Sequence, residues 1–140
     1  MATIFTRIIA GEIPATFVWK DDLSAAFMSI NPLRDGHVLV VPREEVDHWV
    51  DCPKTLRDHL MEVARTIGLA LVDVYRPEKV GLMIAGLEVP HLHLHLVPID
   101  SVSDLDFSNA AATVEREHLV EQASSIRSAL SAIGATGVTS

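Results

Sequence analysis

The sequence predicts a folded domain that mixes strands with helices, and three observations carry that expectation. In Pro90-His91-Leu92-His93-Leu94-His95-Leu96-Val97-Pro98, three histidines alternate with three leucines. Side chains on a strand alternate between faces, so this pattern sends every imidazole to one side and every leucine to the other. From Thr55 to Tyr75, the residues Leu56, Leu60, Val63, Ala64, Ile67, Leu71 and Val74 recur at three- and four-residue intervals, the stripe of an amphipathic helix. Finally, short apolar runs at 16–20, 24–29 and 37–41 are separated by turn-forming residues and are too short to be helices.

The 140 residues, about half of them apolar, suit one domain with its own core, with no low-complexity tract. No apolar run approaches the roughly 18 residues of a membrane span. Met1-Ala2-Thr3 leads into an amphipathic segment and not into a basic stretch with an apolar signal core. The single Cys52 cannot form an internal disulfide. A cytoplasmic protein without a membrane partner is therefore expected. The net charge of −8 argues against nucleic-acid binding, which needs clustered Lys and Arg. The charge does not exclude a small nucleotide, held by backbone amides, a few polar groups and imidazoles.

The elements follow in order. Ile4, Phe5, Ile8 and Ile9 have helical spacing with Gly11 as a stop, giving a short helix over 3–10. Asp21-Asp22 supplies the turn between strands 16–20 and 24–29. Asn31 to Gly36 reads as a loop, and His37-Val38-Leu39-Val40-Val41 as a central strand ended by Pro42. In the long helix, Gly68 permits close packing on the sheet, and Pro77 limits its end. Val80 to Ile84 reads as a buried strand, broken by Ala85-Gly86. Residues 99–112 read as polar loop. Thr113 then caps a helix over about 114–133, carried by Leu119, Ala123, Ile126 and Leu130. Gly134 stops it, and Ala135 to Ser140 read as frayed. His48 and His59 read as surface residues.

The histidine strand carries the chemistry. One histidine on a strand face is ordinarily an incidental polar residue, but three in register are not. Imidazoles two apart on a strand can share a metal ion. Alternatively, one ring is a nucleophile tuned by its neighbours.

His-Leu-His-Leu-His-Leu-Val resembles the signature of the histidine triad (HIT) family of nucleotide hydrolases and transferases. Ile4 to Pro14 is similar to the family's amino-terminal segment, Asn31-Pro32 with Gly36 to Pro42 to its central strand, and Ala85 to Pro90 to its approach to the triad. The resemblance covers roughly residues 3–100, leaves 101–140 as a variable C-terminal segment, and is nearest the nucleotide-binding, phosphoramidate-cleaving branch in an actinobacterial type. It implies an α+β fold with an antiparallel sheet of about five strands, one long helix, a short N-terminal and a C-terminal helix, and a homodimer.

It also implies site residues. His93 attacks the α-phosphorus, His95 protonates the leaving group, and His37 and His91 stabilise phosphate oxygens or fix the rings, with protonated imidazoles offsetting charge. Ser29 stands where relatives place Asp or Asn against the ribose, Ile30 lies against the base, and Asn31 follows them in the nucleotide site. Near the phosphate, the loop before Gly86 is short, Leu87 replaces a Gln, and Glu88 keeps a polar group. Zinc-holding relatives carry Cys where this chain has Thr3 and Thr6, and several have His at Glu45, so no metal and no cofactor is expected. Four functions compete: a purine nucleoside phosphoramidase, a dinucleoside polyphosphate hydrolase or phosphorylase, a nucleotide-binding regulator with weak catalysis, and a histidine-metal enzyme.

Overall fold

The structure is a computed structural model that describes residues 2–139. Its sheet has five strands, β1 (Phe17–Lys20), β2 (Ser24–Met28), β3 (Val38–Pro42), β4 (Lys79–Met83) and β5 (Leu94–Ile99), in the order β1-β2-β3-β5-β4. Every neighbouring pair is antiparallel. With α1 (Ile4–Ile9), α2 (Lys54–Tyr75) and α3 (Arg116–Ala132), this is the α+β arrangement expected.

Both faces of the sheet are covered, and this decides the environment of the histidines. On one face Val18, Ala26, Met28, Val38, Val40, Leu92, Leu94 and Leu96 pack against the stripe of α2 and against Leu119, Ile126 and Leu130 of α3. On the other, Ala25, Phe27, Leu39 and Val41 meet Phe5 and Ile8 of α1. β2 and β3 are consequently buried along their whole length. The leucines of the triad segment face the larger core, and the histidines face the side that α1 partly roofs.

Several boundaries follow from local chemistry. The Thr3 hydroxyl caps α1 by accepting from the Thr6 amide. Arg76 ends α2 in the left-handed region (φ 48°), immediately before Pro77. Gly36 (φ 85°) precedes His37, and a Cβ there would lie 2.6 Å from the Tyr75 ring. This glycine lets the loop pass beside Tyr75 into β3.

The structure corrects five expectations. The strand read over Val80–Ile84 is the sheet edge β4, whose residues are largely exposed or half-buried; an apolar run does not distinguish an edge from a centre. Nothing packs closely on Gly68, where a Cβ would find its nearest neighbour, Val80, at 4.0 Å. The cap of α3 is Glu115, without a side-chain bond, and not Thr113. The C-terminal residues 137–138 are tied down: the Lys20 amide donates to the Gly137 carbonyl (2.8 Å), and Val138 bridges Trp19. Met1 and Ser140 lie outside the described residues. His59 is half-buried and bonded to Asp21 (2.8 Å), which also accepts from Trp19; these bonds, the Trp19 bond foremost, offset burial and hold the Asp21 carboxyl down at about 2.

Candidate active site

His37 immediately precedes β3, and His95 lies on β5 opposite Leu39, so the two are diagonal neighbours on one face. His91, at a bend, and His93 lie in the segment that leads into β5, outside the ladder, so the strand read over the triad begins only at Leu94. All four rings are buried, His91 completely (0% exposed) and His37 nearly so (2%). Phe5 of α1 packs edge-on against both His91 and His93, with centroids at 5.6 and 4.9 Å.

The hydrogen-bond partners assign the tautomer of each ring. The Leu33 amide can only donate, so His37 Nδ1 accepts from it (3.0 Å) and the His37 proton sits on Nε2. That Nε2–H then donates to His95 Nδ1 (2.9 Å), leaving the His95 proton on Nε2. The His91 carbonyl can only accept, so His93 donates from Nδ1 (2.7 Å) and keeps a lone pair on Nε2. His91 donates from Nε2 to the Pro42 carbonyl (2.7 Å), and its Nδ1 accepts from the Thr3 hydroxyl (2.6 Å). Among the described residues, neither His93 Nε2 nor His95 Nε2 has a protein partner, and neither is sealed from solvent. The rings that carry them are in edge contact, with centroids 4.9 Å apart. The site therefore offers a lone pair beside an N–H, both open to a ligand.

Burial favours the neutral rings. It pushes His37 down to about 3, with help from the neighbouring His95 and His93. It pushes His95 down to about 4, again with help from His93. Burial also lowers His93, although the bond to the His91 carbonyl opposes it. The free protein therefore holds these three rings neutral at pH 7. His37 and His91 have both nitrogens committed to hydrogen bonds within the protein.

The nucleotide-site candidates separate into two groups. Buried Ser29 accepts from the Asn31 amide (3.2 Å), and Ile30 beside it is 68% exposed. The Asn31 carboxamide donates to the carbonyls of Ala111 and Ala112, so it fastens the C-terminal segment to this loop. Leu87 (94% exposed) and Glu88 lie on the surface and make no bond to the histidines. Glu88 is close enough for its charge to favour protonation of His93.

Sequence reasoning missed Phe107, which packs edge-on against His95 with centroids at 5.2 Å. Arg34 pairs with Asp100 and Asp104, which anchors the segment that carries Phe107. The only available signal was a large aromatic residue inside a polar stretch.

Zinc, implied for some relatives, does not fit the residues at the corresponding place. Thr3 and Thr6 present neutral hydroxyls, which are poor zinc ligands beside thiolates. Both hydroxyls are committed to hydrogen bonds, as is the Glu45 carboxylate. Among the described residues, no three His, Cys, Asp or Glu side chains converge as a metal site.

A five-stranded antiparallel sheet with four histidines clustered on and beside its central strands defines a class of α+β proteins. Comparison narrows the class. The HIT domain profile matches residues 10–102. The Saccharomyces cerevisiae adenosine 5′-monophosphoramidase HNT1 is 34% identical over 98 residues, covering 69% of this chain and 62% of the yeast protein. The crystal structure of a Hit-like protein involved in cell-cycle regulation from Bartonella henselae superposes with a TM-score of 0.80 at 27% identity, covering 91% of this chain and 95% of that one. A zinc-bound histidine triad family protein from Mycobacterium smegmatis shares the fold, with a TM-score of 0.80 at 23% identity over 95% and 96% of the two chains. This chain belongs to the HIT family. Among the described residues, no helix is long and apolar enough to cross a membrane.

Proposed function

We propose that this HIT protein hydrolyses adenosine or other purine nucleoside 5′-phosphoramidates, or related nucleotidyl conjugates, through a nucleotidyl group carried on His93. The observation that carries the reading is the pairing of an open lone pair on His93 Nε2 with an open N–H on His95 Nε2. Binding alone has no use for a pinned nucleophile.

In the first step the His93 Nε2 lone pair forms a bond to the α-phosphorus, and the bond from phosphorus to the leaving nitrogen breaks. The electron pair departs with that nitrogen, which leaves as the free amine with a proton the substrate has taken from solvent. His95 Nε2–H donates a hydrogen bond to a phosphate oxygen and stays neutral; a second proton on its Nδ1 would confront the His37 N–H. This replaces the full proton transfer expected of His95. In the second step water attacks phosphorus, the nitrogen–phosphorus bond breaks back onto His93, and the water's proton goes to solvent. The nucleoside monophosphate is released. The Nδ1–H bond to the His91 carbonyl stabilises the positive charge that His93 carries while substituted.

The exposed Ile30 beside Ser29 suits a purine face next to a ribose hydroxyl. With these rings neutral, an anionic phosphate is held through N–H donors and not through cations. The unpaired edge β4, with Leu82 exposed, supports a homodimer, and the single Cys52 supports a cytoplasmic location.

The test is AMP release from adenosine 5′-phosphoramidate, with diadenosine tetraphosphate in parallel, for the wild type and His93→Ala, with and without chelator. The reading predicts chelator-resistant turnover of the phosphoramidate that His93→Ala abolishes. Faster turnover of diadenosine tetraphosphate would transfer the protein to the polyphosphate branch. AMP binding without turnover of either would make it a nucleotide-binding regulator.

A further inference from the structure

We infer that Glu45, Thr6 and Thr3 form a hydrogen-bonded clasp that positions His91, and through its carbonyl the nucleophile His93. Glu45 stands three residues beyond the end of β3, and its Oε1 accepts from the Thr3 amide (2.8 Å) and from the Thr6 hydroxyl (2.6 Å). The Thr6 hydroxyl proton is thereby used. The Thr3 hydroxyl accepts from the Thr6 amide (3.1 Å); its own proton has two acceptors in reach, His91 Nδ1 at 2.6 Å and the Thr6 hydroxyl oxygen at 3.3 Å, and the shorter contact takes it. These directions form one consistent path from a surface carboxylate to a fully buried ring.

The other His91 nitrogen is held by the Pro42 carbonyl, so the ring is fixed at both ends. The residue whose ring is fixed supplies the carbonyl that sets the His93 tautomer. The clasp also seats α1, and α1 lays Phe5 against both rings. A hydroxyl relay ending on a carboxylate thus positions the ring. Glu45, Thr6 and Thr3 are positioning residues; their bonds run to one another and to His91 Nδ1. The hydrogen bonds from Thr6 and then Thr3 hold the Glu45 carboxyl below its ordinary range, so the acceptor is ionised at pH 7.

The inference rests on the nucleophile reading of His93, and the experiment separates the two. Steady-state kinetics on adenosine 5′-phosphoramidate would be compared for the wild type, Thr3→Val, Thr3→Ser, Glu45→Ala and Glu45→Gln. Long-range 15N NMR of the imidazoles and circular dichroism would accompany them. Thr3→Val keeps the shape and removes the donor. Misplacement of a reacting group by about 1 Å costs up to about 100-fold. Thr3→Val is therefore expected to lower kcat by about 10-fold or more while KM changes less than about twofold, with the 15N shift of His91 Nδ1 moving as its bond is lost. Thr3→Ser restores kcat to within about threefold, and Glu45→Gln, which keeps an acceptor oxygen, falls less than Glu45→Ala. A folded Thr3→Val with wild-type kcat would overturn the inference, as would equal impairment of Thr3→Val and Thr3→Ser, or an unmoved His91 resonance. If the wild type and His93→Ala behave alike, the hydrolase reading has failed; the NMR arm then decides the clasp alone.

Discussion

The buried neutral histidines make stability depend on pH in a way that one substitution isolates. His37 is held down to about 3, chiefly by burial, against an ordinary value of 6.5. Below pH 6.5 the unfolded chain takes up a proton at this position and the native chain does not, so protons favour unfolding. Stability is complete above about pH 6.5, falls by roughly 1.4 kcal/mol per pH unit below it, and levels off as the native ring protonates near pH 3. Between pH 7.5 and pH 5.0 the loss through His37 is about 2 kcal/mol. His37→Asn removes this titration and also the donor to His95 Nδ1, which frees His95 to protonate more readily in the native state. The pH-linked loss of stability should therefore shrink by at least about 2 kcal/mol in the variant, although the variant is less stable at pH 7.5. Urea unfolding of both proteins at the two pH values measures this, and carboxylates titrating in the same range cancel in the difference. Equal losses in wild type and variant would refute the reasoning that the native ring stays neutral.

Two further outcomes test the frame that holds the site. Leu92 is buried in the larger core directly between His91 and His93, so Leu92→Ala should cost about 2–5 kcal/mol in denaturant unfolding and lower activity by loosening both neighbours. Gly36→Ala places a Cβ 2.6 Å from the Tyr75 ring at a positive φ, and should cost about 1–3 kcal/mol by the same measurement.

The period-two alternation of His and Leu made the faces of the triad segment legible, because the pattern is local. The helix α2 was legible for the same reason, through its stripe. What covers the histidine face was not. Phe5 and Thr3 come from the far end of the chain, and Thr3 is separated from His91 by 88 positions. The neutrality of the rings was equally hidden, since it depends on burial that only tertiary packing supplies. The edge position of β4 escaped because Val80, Leu82 and Ile84 read the same on an edge or in a centre. The resemblance supplied strand number and the fold, and the hydrogen bonds then separated the open pair His93 and His95 from the committed pair His37 and His91.

The most direct test of the central claim is to trap the covalent intermediate. Enzyme mixed with adenosine 5′-phosphoramidate would be quenched in base within a single turnover, because nitrogen–phosphorus bonds break in acid, and peptide-mapped by mass spectrometry. The account predicts an added adenylyl group on His93 alone, absent in His93→Ala. Turnover without an adduct on His93, or with the adduct on another residue, would contradict it.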